Sequence, residues 1–230
     1  MKITSYSILT FLLLSQFIYG QSSGFKSLFN GKDLSGWWGL GTENPASWMS
    51  LPKEELEKKK KDSLIDINKH WSVEEGILVN DGQGLYLTTS ENYSDFLLKL
   101  EYKTVAKADS GIYLRGYPQV QIWDTTEAGG KWKYGAKDGS GGLWNNRPKD
   151  GWKPLVHADK PFGNWNQLEV QMIGQQVSVW LNDKKVVKKA TLLNYWKKTE
   201  PVLPEGPIQL QTHGGEICWR NLLIKEISDQ

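Results

Sequence analysis

From Trp71 onward the chain alternates apolar and polar residues over short stretches that are separated by turn residues. In residues 95–105, Leu98, Leu100 and Tyr102 fall on one face of an extended chain, and the positions between them are charged. The same period of two recurs in four further segments, residues 110–116, 120–124, 165–183 and 206–227. Side chains that alternate in this way belong to strands with one buried and one exposed face, so the pattern predicts antiparallel sheets.

One segment departs from this period and predicts a helix. In residues 53–62, Glu54 and Glu55 precede the lysine run 58–61. Acidic residues first and basic residues last suit the helix dipole, and Glu and Lys four positions apart support each other. We interpret the segment as one short helix with a solvated lysine face.

Short strands, turn residues between them and a single helix predict an all-β fold, a two-sheet antiparallel β-sandwich. An exposed face on each sheet is expected, because only one face of each can be buried against the other. We expect two short strands joined at Asn80-Asp81-Gly82 in residues 71–89, a hairpin that turns near Gly174 in residues 165–183, and two final strands that turn at Gly214-Gly215 in residues 206–227.

The first 22 residues have the pattern of a secretory signal peptide. Lys2 precedes an apolar run over residues 8–14, and small residues follow. The run is shorter than the ~20 residues that a membrane-spanning helix needs, so we expect no membrane span. The mature chain is expected to be secreted, or periplasmic in a Gram-negative cell. Since no repeat or linker interrupts residues 24–230, we expect them to form a single domain.

Charge and cysteine content argue against several classes of function. The chain has 28 Lys and Arg against 26 Asp and Glu, and this net charge of +2 is not typical of a nucleic-acid partner. Cys218 is the only cysteine, which excludes an intrachain disulfide framework and a Cys-based zinc cluster. The three histidines are far apart in sequence, and there is no HExxH or GxSxG motif.

The polar faces of the predicted strands carry side chains that suit a sugar. Carboxylate, amide and guanidinium groups bind hydroxyls, and indole or phenol rings pack against the C–H face of a pyranose. If the strands are neighbours, these side chains form one concave patch of Glu101, Tyr113, Arg115, Gln121, Trp123, Asp124, Gln209, Gln211 and His213. Trp144, together with Trp132 and Trp152 of the loop 125–164, is expected to form its wall.

The chain resembles the 3-keto-disaccharide hydrolase domain family, which has a concanavalin A-like jelly-roll fold and was formerly a domain of unknown function. The segments that carry the resemblance keep their order along the chain, at residues 25–38, 71–79, 95–116, 120–124, 162–170 and 206–227. Two positions differ from the usual family pattern. Asp109 stands where Asn usually precedes Ser-Gly-Ile, and Thr212 stands where Asp often precedes His-Gly.

The resemblance implies a reaction on glycosides whose C3 hydroxyl has been oxidised to a ketone by a separate sugar 3-oxidoreductase. The ketone acidifies the C2–H bond, so that a base removes this proton and the C1 leaving group departs. Hydration of the product then completes a net hydrolysis. This route differs from that of a two-carboxylate glycosidase, whose transition state resembles an oxocarbenium ion.

The resemblance also assigns roles to residues of this chain. His213 or Glu101 is expected to act as base or acid, and Arg115 to stabilise the enolate oxygen or to anchor hydroxyls. We expect Gln121, Asp124 and Gln211 to orient the ring and Tyr113, Trp123 and Trp144 to stack on it. A divalent metal bound by Glu101, Asp124 and His213 is an alternative to Arg115. Two other functions stay open, a non-catalytic carbohydrate-binding module of the same fold and a structural or adhesion domain.

Overall fold

The computed structural model describes residues 24–227, so the predicted signal peptide lies outside the described residues. Within this range thirteen strands divide between two sheets. The strands are β1 (Lys26–Ser27), β2 (Trp37–Leu40), β3 (Trp71–Glu74), β4 (Ile77–Asn80), β5 (Tyr86–Thr89), β6 (Phe96–Thr104), β7 (Asp109–Leu114), β8 (Tyr117–Trp123), β9 (Asn166–Ile173), β10 (Gln176–Leu181), β11 (Lys184–Thr191), β12 (Gln209–Leu210) and β13 (Ile217–Glu226).

The two sheets are antiparallel throughout the described residues. The eight-stranded sheet, here called the large sheet, has the order β11-β10-β9-β6-β13-β4-β3, and β1 pairs with the far end of β13. The five-stranded sheet, the small sheet, has the order β2-β5-β12-β7-β8. The chain crosses repeatedly from one sheet to the other. As a result, strands that are distant in sequence become neighbours, and β12 lies between β5 and β7. This architecture confirms the predicted two-sheet jelly-roll sandwich.

The core lies between the sheets and contains the apolar half of each alternating strand. Leu98, Leu100 and Tyr102 of β6 are at most 3% exposed, and they belong to the same cluster as Ile112 and Leu210 of the small sheet. Burying a side chain of this size contributes about 1.5–3 kcal/mol. For β6, the period of two in the sequence therefore identifies correctly which residues face the core.

Two helices pack at the β2 edge of the small sheet. They are α1 (Pro45–Trp48) and α2 (Lys53–His70), and α2 is eight residues longer than the predicted helix of residues 53–62. The extra length packs against β2, where Ile67 is fully buried and the Ser63 hydroxyl accepts a hydrogen bond from the Gly39 amide at 2.8 Å. The order of acidic and basic residues in 53–62, on which the predicted helix rests, does not reveal these tertiary contacts. None of the helices in residues 24–227 is long and apolar enough to cross a membrane.

All three predicted turns lie between strands, but only the turn near Gly174 joins two strands that pair with each other, and residues 71–89 contain three strands instead of the predicted two. Residues 71–89 form three strands, because β3 and β4 turn at Glu75-Gly76, where both residues have positive φ. The segment Asn80-Asp81-Gly82 instead leads from the large sheet to the small sheet. Gly214-Gly215 likewise joins β12 to β13 across the sandwich, whereas β9 and β10 form the expected hairpin around Gly174.

The segment between β8 and β9 runs along the β8 edge of the small sheet. Val120 of β8 forms a bridge with Leu143 of this segment, and Gly141 donates a backbone hydrogen bond to Gln121 at 2.7 Å. The segment contains four short 3-10 turns, Glu127–Gly129, Trp132–Tyr134, Ala136–Asp138 and Trp144–Asn146. It therefore brings its aromatic and basic residues over the polar face of the small sheet.

Candidate functional site

A cavity of about 360 Å³ opens on the outer face of the small sheet. Strands β5, β7, β8 and β12 form its floor, and the segment between β8 and β9 forms a wall. Six of the residues that the sequence predicts for the site line it: Tyr113, Gln121, Trp123, Trp144, Gln211 and His213. A concave site of this size, with aromatic walls and a few polar groups, is typical of small-molecule sites.

Strand alternation explains why polar side chains converge on this floor. Ile112, Val120 and Leu210 are fully buried in the core, so their neighbours in sequence point outward. Tyr113 pairs in register with Gln209 of β12, which precedes Gln211 by two positions. Outward residues of three adjacent strands thus share one face.

Gly111 keeps the middle of the floor open. It pairs in register with Gln121 on β8. A Cβ atom at this position would lie 2.8 Å from the Val120 carbonyl oxygen and 3.2 Å from Oε1 of Gln211. Only glycine fits so close to the neighbouring backbone, and its absent side chain leaves room above the sheet.

The chemical centre of the cavity is a histidine, a carboxylate and a lysine. His213 Nδ1 lies 3.1 Å from Oδ2 of Asp109, and the Lys131 Nζ atom lies 2.9 Å from the same oxygen. The Asp109 side chain is 10% exposed and that of His213 is 54% exposed. The carboxylate is therefore held inside, while the imidazole faces the open cavity.

The pKa values in this cluster shift as expected for an ion pair. The hydrogen bond to Asp109 raises the pKa of His213, and burial opposes that shift less strongly. Burial alone raises the pKa of Asp109, but the hydrogen bonds and positive charges of His213 and Lys131 together outweigh it, and its net pKa is lowered. Asp109 is thus a carboxylate at neutral pH, and it favours the protonated imidazole.

A chain of amides fixes the second oxygen of Asp109. Gln121 Nε2 donates to Oδ1 at 2.8 Å and to the Ser110 carbonyl at 2.9 Å. Gln119 in turn donates its amide to Oε1 of Gln121. Because both carboxylate oxygens have donors, Asp109 has little freedom to rotate, and it positions the imidazole ring.

A cluster of hydroxyl groups lies at the opposite end of the cavity. Thr42 Oγ1 is 2.8 Å from the Tyr86 hydroxyl and 3.1 Å from the Tyr113 hydroxyl. Gln211 Nε2 donates to Tyr86 Oη at 3.5 Å. Burial raises the pKa of Tyr113 well above its usual value, so its hydroxyl stays protonated and can donate a hydrogen bond.

Arg115 does not lie in the cavity, although the sequence predicts it there. It lies in the turn that follows β7, where its φ of +53° ends the strand alternation, and its side chain is 2% exposed. The guanidinium forms a 2.8 Å ion pair with Asp95 and donates to the Ser94 carbonyl at 2.6 and 2.8 Å. It is thus a structural group, and Lys131 is the cation that lines the cavity.

Glu101 and Asp124 also lie outside the cavity. Glu101 is on β6 of the large sheet, where it pairs with Arg220. The carboxylate of Asp124 accepts hydrogen bonds from the backbone of Lys107 and from Thr126, so it stabilises two loops.

The predicted ligands Glu101, Asp124 and His213 therefore do not come together around one metal ion. Among residues 24–227, no group of three or more His, Cys, Asp or Glu side chains is placed to hold one. Trp132 and Trp152 do not line the cavity either. Trp132 donates to the Thr125 carbonyl, and Trp152 packs against Arg147 and Lys153.

Several lining residues were not predicted from the sequence. The sequence marks Asp109 only as a difference from the family pattern, although its alternation with Gly111 and Tyr113 places it on the same face. Lys131 and Thr42 come from loops, where no periodicity shows the direction of a side chain.

The comparisons with known proteins agree with this fold. A family model described as a 3-keto-alpha-glucoside-1,2-lyase-like domain matches residues 24–225. A protein of Bacteroides thetaiotaomicron named 3-keto-disaccharide hydrolase is 22% identical over 250 residues, which cover 89% of this chain and 79% of that protein.

Two solved structures from Parabacteroides distasonis, provisionally named glycosyl hydrolases, have the same fold. One has a TM-score of 0.62 and 23% identity and covers 88% of this chain and 99% of its own. The other has a TM-score of 0.60 and 22% identity, with coverages of 89% and 94%.

Proposed function

This chain belongs to the family of 3-keto-alpha-glucoside-1,2-lyase-like domains, and we propose that it is a carbohydrate-active enzyme that cleaves glycosides carrying a ketone at C3. The observation that carries the proposal is the His213–Asp109 pair beside Lys131, facing a cavity with aromatic walls. A base and a cation in one cavity are what proton abstraction next to a ketone requires.

His213 is the base in this proposal. When Nδ1–H donates to Asp109, the lone pair of the neutral imidazole is on Nε2. This nitrogen removes the C2 proton, which the adjacent ketone has made acidic. The fixed carboxylate of Asp109 stabilises the imidazolium that forms, and it holds the ring in one orientation.

Lys131 takes the role that the sequence assigned to Arg115. Removal of the C2 proton places negative charge on the C3 oxygen, and the ammonium group is the cation that lines the cavity. A positive charge already in place when this charge develops lowers the barrier. The contact of Lys131 with Asp109 keeps the ammonium within reach of the base.

The hydroxyl cluster at the other end of the cavity supplies the acid. Breaking the C1–O bond leaves a double bond between C1 and C2 and a leaving oxygen that needs a proton. The hydroxyls of Tyr86 and Tyr113, held by Thr42, line the cavity, and the raised pKa of Tyr113 keeps its proton available to the leaving oxygen. Addition of water across the double bond then completes the hydrolysis.

A non-catalytic carbohydrate-binding module is the second candidate function. The walls of Trp123 and Trp144 would serve binding equally well. However, a module that only binds sugar does not need an imidazole oriented by a buried carboxylate, and this pair favours the enzyme. We further propose that residues 1–22 direct export and that a separate oxidoreductase supplies the keto substrate.

The proposal is tested by incubating the purified protein with disaccharides oxidised at C3, with and without a chelator, and by analysing the products. We expect cleavage that His213→Ala reduces by about 10²–10⁴-fold, which is the usual contribution of a general base. His157→Ala is the matched control, because this half-exposed histidine lies outside the cavity. Binding of the keto sugar without any product would contradict the enzymatic function and favour the binding module.

A further inference from the structure

We propose that the outer face of the large sheet carries a second, non-catalytic site for a neutral carbohydrate chain. A cavity of about 340 Å³ lies there, across β10, β9, β6 and β13. Because the outer faces of two packed sheets point in opposite directions, this cavity is on the far side of the sandwich from His213. The inference does not depend on the reaction proposed above.

Trp180 supplies the flat apolar surface of this cavity. It projects outward from β10, since Val179 and Leu181 on either side are fully buried. The Nζ atom of Lys185 on β11 lies 4.6 Å from its ring centroid, whereas most other lining residues belong to β9, β6 and β13. The indole thus stands at the edge of the cavity, where it can pack against the C–H face of a pyranose.

Glu101 supplies a fixed acceptor in the floor. The residue is 8% exposed, and its Oε2 atom accepts a hydrogen bond from Arg220 Nε at 2.6 Å. Arg220 is itself packed against Trp165, with 4.1 Å between the guanidinium carbon and the ring centroid. In the part of the chain that the structure describes, Oε1 of Glu101 has no hydrogen-bond partner, so it is available to a ligand hydroxyl.

A bulge in β13 brings an amide to the same cavity. The register with β6 shifts between Arg220 and Leu223, and Asn221 has a φ of +53°. Asn tolerates the left-handed conformation better than most residues. Bulges often redirect a side chain next to a binding site, and this one places the exposed Asn221 at the cavity. Its amide can both donate to and accept from a hydroxyl.

The charges around the cavity favour an uncharged ligand. Three carboxylates line it, those of Glu101, Glu169 and Asp183, and three cations lie in or beside it, Lys99, Arg220 and Lys185. Lys99 and Glu169 form an ion pair at 2.9 Å. Because the charges balance, neither an anion nor a cation is favoured, whereas fixed donors and acceptors around an indole suit sugar hydroxyls.

The test measures binding of neutral gluco-oligosaccharides of the cello, malto and laminari series, by calorimetry and by indole NMR resonances. We expect Trp180→Ala to weaken binding at this site about tenfold, through loss of the stacking surface. Asn221→Gly is a second variant, which is expected to stay folded because glycine accepts the positive φ. Trp132→Ala is the matched control, since it removes an exposed indole outside both cavities.

The two proposals fail separately. Cleavage of a C3-oxidised disaccharide is expected to be unchanged in Trp180→Ala and lost in His213→Ala. The second site is overturned if the parent protein binds none of the oligosaccharides, or if Trp180→Ala and Asn221→Gly bind them as tightly as Trp132→Ala does. Weakened binding in both cavity variants, with normal cleavage, supports it.

Discussion

At the residue scale, the behaviour of the proposed base depends on Asp109. Its two carboxylate oxygens contact the side chains of His213, Lys131 and Gln121. Asp109 therefore controls both the orientation and the proton affinity of the imidazole. His213 acts as a base only when it is neutral. Since its pKa is raised, the rate is expected to increase with pH through a value above the usual 6.5 of imidazole.

The variant Asp109→Asn tests this dependence. Removing the carboxylate removes the main cause of the raised pKa, so the pKa of His213 should fall. The rising limb of kcat/KM against pH should therefore move to lower pH. The maximal rate should fall by about 10²–10⁴-fold, because the imidazolium loses its partner. An NMR titration of His213 checks the pKa directly, and an unchanged limb would contradict the role of Asp109.

Sequence reasoning at this scale succeeds where alternation is regular and fails where the backbone interrupts it. Tyr113, Gln121 and Gln211 are placed correctly on one outer face. Arg115 is not, because its positive φ turns the side chain toward Asp95. Glu101 does lie on the polar face of β6, but alternation does not tell which of two sheets a strand joins.

At the element scale, helix α2 positions one end of the proposed active site. The helix packs on β2, and the residues that follow β2 lead to Thr42, whose hydroxyl joins Tyr86 and Tyr113. Lys59 of the helix also forms a 2.8 Å ion pair with Glu43. The charge order of residues 53–62 predicts the start of this helix, but the contacts of its second half depend on a strand that is distant in sequence.

Gly39 is a point of close approach between β2 and α2, and its substitution tests this coupling. A Cβ atom at Gly39 would lie 2.7 Å from Cγ2 of Ile67 and 2.9 Å from Cδ1 of Leu85. Gly39→Ala should therefore cost about 1–3 kcal/mol of unfolding free energy and reduce kcat by displacing Thr42. Urea denaturation and kinetics measure the two effects.

Gly41→Ala is the matched control for this variant. A Cβ atom at Gly41 has no neighbour within 4 Å, so the substitution should leave stability and kcat nearly unchanged. If Gly39→Ala destabilised the fold with no loss of kcat, the helix would have no part in positioning the site.

At the scale of the whole molecule, the two sheets share one core. A single cluster of buried side chains includes Trp219 and Leu98 from the large sheet and Ile112, Val120 and Leu210 from the small sheet. Neither sheet buries its inner face without the other. The alternation in the sequence predicts this sandwich, but it does not predict the order of strands, which depends on long-range pairing.

The shared core predicts one cooperative unfolding transition. Far-UV circular dichroism, tryptophan fluorescence and loss of activity should have the same urea midpoint, because separation of the sheets would expose both inner faces at once. Buried tryptophans in both sheets, Trp37 and Trp219, report on each. A fluorescence midpoint well below that of circular dichroism would show instead that the sheets separate before the strands melt.

The position of β12 has a consequence for the growing chain. This two-residue strand lies between β5 and β7, so these strands have no common neighbour until residues 209–210 have been synthesised. Asp109 and His213, which contact each other in the cavity, are likewise separated by 104 positions in the sequence. Contacts of such long range form late and slowly in folding. A polypeptide that ends before His213 is therefore expected to be inactive in the proposed cleavage rather than partly active.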